Sequence, residues 1–100
     1  MAARQVMLSI NDMPIALNDF VQGYIDHVVH GILTSLRGTA EIRGIDLSLD
    51  GDRVSVLLNN EAVLLNPFAA RIIRNTMLGM VSSLKGVSTI ERMQVVITTK

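Results

Sequence analysis

The sequence matches itself when it is shifted by 48 positions, and the register holds without a gap from one end to the other. A chain that repeats over its whole length is expected to build each structural element twice. We therefore predict one domain over residues 1–100 that contains two copies of a single unit, at about residues 5–49 and 53–97. The identical pairs include Val6/Val54, Asn11/Asn59, Leu17/Leu65, Asn18/Asn66, Phe20/Phe68, Ile25/Ile73, Gly31/Gly79, Ser35/Ser83 and Gly38/Gly86.

Each copy begins with a pattern typical of a β-hairpin. In the first copy Val6, Leu8 and Ile10 alternate with other residues, a period of two that predicts a strand. The pairs 11–12 (Asn-Asp) and 59–60 (Asn-Asn) follow, and both residue types tolerate the positive φ angles of a tight type I′ turn. Short return strands are predicted at 13–17 and 62–65, with Pro14 confining the first of them to a sheet edge or a strand start.

Helix start and stop signals then appear at equivalent places in both copies. Asn18 and Asn66 are predicted N-caps, and Pro67 suits the first helical position. Gly38 and Gly86 are predicted C-caps, so the helices should end near residues 36 and 84. One wide apolar arc on each helix should face a sheet. Its members are Val21, Ile25, Val28, Val29, Ile32, Leu33 and Leu36, and Ala69, Ile73, Thr76, Met77, Met80, Val81 and Leu84.

A final alternating segment, 42–49 or 90–98, closes each copy. The predicted fold class is therefore α+β, with two tandem ββαβ repeats forming one continuous mixed sheet and both helices packed on one face. A pseudo-two-fold axis should relate the copies. If the return segments are only loops, the order becomes βαββαβ, which resembles the ferredoxin-like pattern in element order alone.

Charge and composition exclude several classes of protein. Nine basic residues balance nine acidic ones, whereas nucleic-acid binders carry a basic excess, so no nucleic-acid partner is expected. The chain has no Cys, which removes disulfides and thiol chemistry. Its first residues lack the apolar core of a signal peptide, and its longest weakly polar stretch is too short to span a bilayer. We expect a cytoplasmic protein with no membrane partner.

The chain is rich in aliphatic residues for its size. Hydrophobic residues make up 49% of it with only two Phe and one Tyr, and its mean hydropathy is +0.41. A domain this small buries only about 65% of the surface of its unfolded chain, so we expect a homo-oligomer or another protein partner. The predicted interface is the sheet face opposite the helices, where Met7, Ser9, Leu57 and Val96 should lie. The alternative is an ordinary solvated face.

Small residues four apart suggest where the two helices meet. Gly31 with Ser35, and Gly79 with Ser83, form rows at one edge of each apolar arc. A glycine inside a helix costs up to about 1 kcal/mol relative to alanine, so its recurrence at equivalent positions favours a packing role. We predict that the helices contact each other closely along these rows.

No motif for catalysis, cofactor binding or metal binding is present. His27 and His30 lie three apart on a helix, but zinc requires about four ligands and only Asp26 is near. Both histidines are expected to face solvent. Asp26 and Arg74 occupy equivalent positions, and the alternatives are a pair brought together by the pseudo-two-fold arrangement or, as we expect, solvated charges that set the orientation of a partner. There is no nucleophile elbow and no phosphate loop. The predicted function is a non-catalytic protein-interaction or oligomerisation module; the alternative is a small-molecule-binding domain with a pocket at the repeat junction or subunit interface.

Overall fold

The computed structural model describes residues 4–37, 42–83 and 89–99, and within them it confirms the α+β class. A six-stranded sheet carries two helices, and each helix follows a short hairpin. The elements in chain order are β1 (Arg4–Ile10), β2 (Met13–Ile15), α1 (Asp19–Arg37), β3 (Gly44–Asp50), β4 (Arg53–Leu58), β5 (Glu61–Ala62), α2 (Pro67–Val81) and β6 (Arg92–Thr99).

The prediction of a mixed sheet is wrong, because every strand pairing in the described sheet is antiparallel. The strand order is β2-β1-β6-β3-β4-β5. Strands β1 and β3 run in the same direction, but β6 from the second half of the chain lies between them and pairs with both. At the centre of the sheet Leu47 lies opposite Val95. β1 and β3, which run in the same direction, are therefore not hydrogen-bonded to each other.

The ferredoxin-like alternative is also wrong, because the return segments are strands. β2 pairs with β1 and β5 pairs with β4, so each helix is preceded by a hairpin. Both strands are shorter than predicted, and the residues that follow them lead to the helix caps at Asn18 and Asn66. Pro14 lies in the edge strand β2, where its missing N–H costs no ladder hydrogen bond.

The two hairpin turns have the backbone conformation that their sequences predict. Asn11 and Asp12 have φ angles of 51° and 67°, and Asn59 and Asn60 have φ angles of 53° and 67°. The first asparagine of each turn also holds a later part of the chain. The Asn11 Oδ1 accepts from the N–H groups of residues 91 and 92 at 2.8 and 2.9 Å, and the Asn59 Oδ1 accepts from those of residues 43 and 44 at 2.7 and 3.1 Å. Each asparagine thus fixes the start of a long strand as well as its own turn.

Both predicted N-caps are confirmed. The Asn18 Oδ1 accepts from the N–H of Val21 at 2.8 Å, and the Asn66 Oδ1 accepts from the N–H of Ala69 at 2.7 Å. Each bond satisfies a backbone donor that the first helical turn leaves unpaired. The predicted C-caps at Gly38 and Gly86 lie outside the described residues. Helix α2 ends at Val81 with Ser82 as its C-cap, so the predicted end near residue 84 is wrong.

One hydrophobic core lies between the helices and the sheet, and residues from both halves of the chain contribute to it. The centres of the predicted apolar arcs are confirmed: Ile25, Val29 and Leu33 of α1 are buried, and α2 buries its equivalents at 73, 77 and 81. Val28 and Thr76, also predicted to face the sheet, are half-buried and line a cleft between the helices. Burying a large aliphatic side chain contributes about 1.5–3 kcal/mol, so each of these side chains stabilises the packing of the helices on the sheet. Helix α1 packs over β1 and α2 over β4, which leaves the other sheet face uncovered by any described residue.

Candidate interaction surface

Large apolar side chains project into solvent from the outer sides of both helices. Phe20 of α1 is 79% exposed, and Phe68 of α2 is 67% exposed. Tyr24 and Ile72, one turn further along each helix, are exposed as well. The rings of Phe20 and Tyr24 meet edge to face with their centroids 6.3 Å apart. Aromatic residues held on a rigid helix in solvent are typical of a protein interface.

These helices also lack the charged outer side that surface helices normally have. Among their exposed residues with described side chains, only Asp19 and Arg71 carry a formal charge. The other exposed positions hold small, polar uncharged or apolar residues: Phe20, Tyr24, His27, Gly31, Thr34, Ser35, Pro67, Phe68, Ile72, Asn75 and Gly79. We call this outward side of α1 and α2, together with Ser82 and Ser83 after α2, the helical face. Low charge and exposed aromatics together make it the candidate interaction surface.

A cleft of about 470 Å³ runs between the two helices. Its walls come from the N-terminal half of α1 and the C-terminal half of α2, so the helices run antiparallel beside each other. Apolar groups dominate the walls, with Tyr24, Asn75, Thr76 and Ser83 supplying polar atoms. A second, shallower depression lies on the other side of the Phe20–Tyr24 pair.

The predicted close contact of the helices at Gly31, Ser35, Gly79 and Ser83 is not made within the described part of one chain. A Cβ added at Gly31 or Gly79 would meet no heavy atom within 4 Å. Both glycines and both serines are exposed, and the Ser35 hydroxyl donates to the carbonyl of Gly31 at 3.0 Å. The cleft explains the difference for Gly79 and Ser83, which line it opposite the N-terminal half of α1. Gly31 and Ser35 lie in the C-terminal half of α1, outside the cleft walls, and are exposed there.

Sequence reasoning did not select Phe20, Tyr24, Phe68 and Ile72 as site residues. The helical pattern could have identified them, because all four residues fall outside the apolar arc that contacts the sheet and should therefore face solvent. A large apolar residue on the solvent side of an amphipathic helix is unusual, and here it recurs 48 positions later at both places.

The open sheet face carries the residues that the alternation predicts. Met7 is 52% exposed and Leu57 38% exposed, while Ser9 and Val96 are half-buried. Met7 lies opposite Val96, but Asp46 separates this pair from Leu57. The Asp46 carboxylate accepts from the Gln94 amide at 3.0 Å. The apolar residues of this face are therefore divided by a solvated carboxylate.

One end of the open sheet face is charged. Arg92 of β6 forms an ion pair with Asp12, and Asp50 lies opposite both Arg92 and Arg53 in the strand register. These charges and the divided apolar residues make this face a weaker candidate than the helical face.

Asp26 and His30 form a pair on the flank of α1, which contradicts the expectation that both histidines face solvent. The His30 Nδ1 lies 2.9 Å from Asp26 Oδ1, and the His30 side chain is 17% exposed. A carboxylate beside a histidine nitrogen is half of a catalytic triad. However, the His30 Nε2 is buried, and no described residue hydrogen-bonds to it. His27 is exposed as expected.

The described ion pairs do not include one between Asp26 and Arg74. The Arg74 Nε donates to the carbonyl of Gly51 at 3.0 Å, and its Nη2 lies 3.7 Å from Asp52 Oδ1. Each residue has a partner on its own side of the molecule because the helices lie over different strands.

Within the described residues, no group of three or more His, Asp or Glu side chains is placed to hold a metal ion. Neither described helix combines the length and the apolar character needed to cross a bilayer. No protein family, no curated protein and no solved structure matches this chain. The proposed function therefore rests on the geometry of the helical face.

Proposed function

We propose that this protein is a non-catalytic interaction module that binds another protein chain through its helical face. The observation that carries the proposal is the combination of exposed aromatic side chains with a nearly uncharged helical surface. A solvated helix face that served no partner would be expected to carry alternating charges. Protein interfaces instead lose charge at their centres and gain aromatic residues.

The polar groups of the molecule support a role without catalysis. The Asp26–His30 pair resembles catalytic machinery most closely, but its outer nitrogen is buried and cannot reach a substrate from solvent. Among the described residues, those that line the cleft supply hydroxyl and amide groups, and none of them is a histidine or a carboxylate. These features favour binding over chemical transformation.

Site-specific photo-cross-linking in the cell of origin tests the proposal. A benzoyl-phenylalanine at position 20 or 68 replaces an exposed Phe with a similar ring, so the fold should be unchanged. We expect a discrete protein adduct from both positions. The matched control is the same photoreactive residue at Ser55, which is exposed on the open sheet face. Adducts from position 55 alone, or from none of the three positions, would reject the helical face as the interface.

We also infer that the chain is a duplicated module with a pseudo-two-fold axis through the centre of the sheet. Three observations support this. The strand order reads the same from either edge when β1, β2 and β3 are exchanged with β4, β5 and β6. Leu47 and Val95, which are 48 positions apart, lie opposite each other. The turn and cap asparagines make equivalent hydrogen bonds in both halves. An experimental structure in which the halves fail to superpose would refute the inference.

The second candidate function is small-molecule binding in the interhelical cleft, which lies at the junction of the two halves. Its volume of about 470 Å³ is within the usual range for ligand sites, about 300–1,000 Å³. Its apolar walls with a few polar groups also fit that class. Two-dimensional NMR with a fragment library is the appropriate test. Chemical shift changes confined to cleft residues such as Thr76 and Met80 would support it, and no perturbation from any fragment would reject it.

A further inference from the structure

The helical face has an uneven shape that repeats on both helices. Each helix is bulky in its N-terminal half, where Phe20 or Phe68 projects, and hollow in its C-terminal half, where Gly31 or Gly79 lies. A Cβ at either glycine would meet no atom within 4 Å, so the hollows are open. The face therefore presents bulky side chains in the N-terminal half of each helix and an open glycine in the C-terminal half. Gly23 of α1 is also open and lies in the shallower depression beside Phe20.

A symmetric dimer requires a patch that is complementary to itself, because both subunits contribute the same surface. The helical face is complementary to itself if each helix of one subunit lies antiparallel to the helix of the other subunit that it contacts. In that orientation the bulky half of each helix lies over a hollow half of the other subunit. A partner of a different sequence would not require a bulky half and a hollow half on both helices of one face.

Charge does not oppose this arrangement. Of the exposed helix residues with described side chains, Asp19 is acidic and Arg71 is basic, so two copies bring together faces without net charge. Like charges facing each other across an interface cost several kcal/mol. Among the helix side chains that are described, Arg74 is a further charge, 35% exposed, and it is paired with Asp52.

The available area is sufficient for a specific contact. α1 has 19 residues and is therefore about 28 Å long, and two helices side by side are about 20 Å wide. This gives a footprint of about 500 Å² per chain, or about 1,000 Å² in total, which reaches the lower bound for a specific interface. The exposed Leu64, just before α2, extends the apolar surface beyond this footprint.

We propose that the occupant of the helical face is a second copy of this chain, stacked so that Phe20 and Phe68 of each subunit fill the hollows at Gly31 and Gly79 of the other. The small-residue rows thus have a packing role between subunits and not within one chain. This inference rests on the proposed function, since it names the partner of the same surface.

Sedimentation velocity of the purified chain, from low-micromolar to near-millimolar concentration, tests this directly. We expect a concentration-dependent dimer. The double variant Gly31→Leu, Gly79→Leu fills the hollows and should weaken dimerisation at least about tenfold. Its folded monomer should be no less stable, because the added side chains meet open space and leucine is a better helix former than glycine. The matched control is Ser55→Leu, which adds the same side chain to the open sheet face and should leave the dimer unchanged.

A second variant shows whether a loss of the dimer is due to misfolding. Phe20→Ser with Phe68→Ser removes two exposed projections and should also abolish the dimer while circular dichroism retains its helical signal. A wild-type chain that stays monomeric throughout overturns the inference, as does a leucine variant that dimerises as tightly as the wild type. If position 20 then cross-links to a protein of different mass, the proposed function stands without self-association. If it cross-links to no protein, both fail.

Discussion

Replacing Asn11 should reveal how strongly one turn residue ties the two ends of the chain together. Its Oδ1 accepts from the N–H groups of Glu91 and Arg92, and its Nδ2 donates to the carbonyl of Thr89 at 2.8 Å. These bonds join residues about 80 positions apart. The residue also has a positive φ of 51°, which alanine adopts poorly. Asn11→Ala therefore removes three hydrogen bonds and strains the backbone.

The expected loss of stability is the sum of the three lost hydrogen bonds and the backbone strain. The site is exposed enough for water to replace the lost partners, so each hydrogen bond contributes about 0.5 kcal/mol, the low end of the usual range. Placing alanine in the left-handed region adds about 1 kcal/mol. The free energy of unfolding should fall by about 2–3 kcal/mol, which lowers the melting temperature by roughly 10–20 °C for a domain of this size.

A series of substitutions separates the two effects. Asn11→Gly keeps the backbone freedom and loses only the hydrogen bonds, about 1.5 kcal/mol, whereas Asn11→Asp keeps the acceptor oxygens and should lose about 0.5 kcal/mol. Asn60→Ala is the matched control for the backbone, because Asn60 has a φ of 67° and no described side-chain hydrogen bond; it should lose about 1 kcal/mol.

Urea denaturation followed by circular dichroism measures these values, at one fixed protein concentration because self-association would raise the apparent stability. If Asn11→Ala is no less stable than Asn11→Gly, the backbone contribution assigned to the positive φ is wrong. If Asn60→Ala costs as much as Asn11→Ala, the contribution assigned to the hydrogen bonds is wrong.

Three further substitutions test the core, the helix start and the choice of interface. Met77→Ala should lower the free energy of unfolding by about 2–5 kcal/mol, because the side chain is fully buried under α2; an unchanged urea midpoint would contradict this packing. Asn66→Ala removes the cap bond to Ala69 and should cost about 1 kcal/mol, measured by thermal denaturation, and a serine at the same position should restore most of the loss. Met7→Glu places a charge on the open sheet face and should change stability by no more than about 0.5 kcal/mol. It should also leave the sedimentation profile unaltered. If Met7→Glu abolishes association, the interface is the open sheet face and not the helical face.

The candidate site shows what sequence patterns can and cannot identify. The residues predicted for the sheet-face interface, among them Met7 and Leu57, do lie on the uncovered side of the sheet, because alternation along a strand decides which side a residue takes. The pattern does not reveal that Asp46 separates them, since this depends on which strands are neighbours. Phe20 and Tyr24 lie within the predicted first helix and outside its apolar arc, and the structure shows that both side chains project away from the sheet into solvent.

The local features of this protein could be predicted from its sequence: the positive-φ turns at Asn11 and Asn59, the caps at Asn18 and Asn66, and the buried centres of both helical arcs. Each depends on interactions between residues a few positions apart, which a short stretch of sequence contains in full. Tertiary structure decided that β6 lies between β1 and β3, that the sheet is antiparallel throughout, and that the helices stand apart around a cleft. Those outcomes depend on packing between segments tens of residues apart. Several strand orders are compatible with the same alternating pattern. The one that forms is the one that packs all the strands and helices best around a common core.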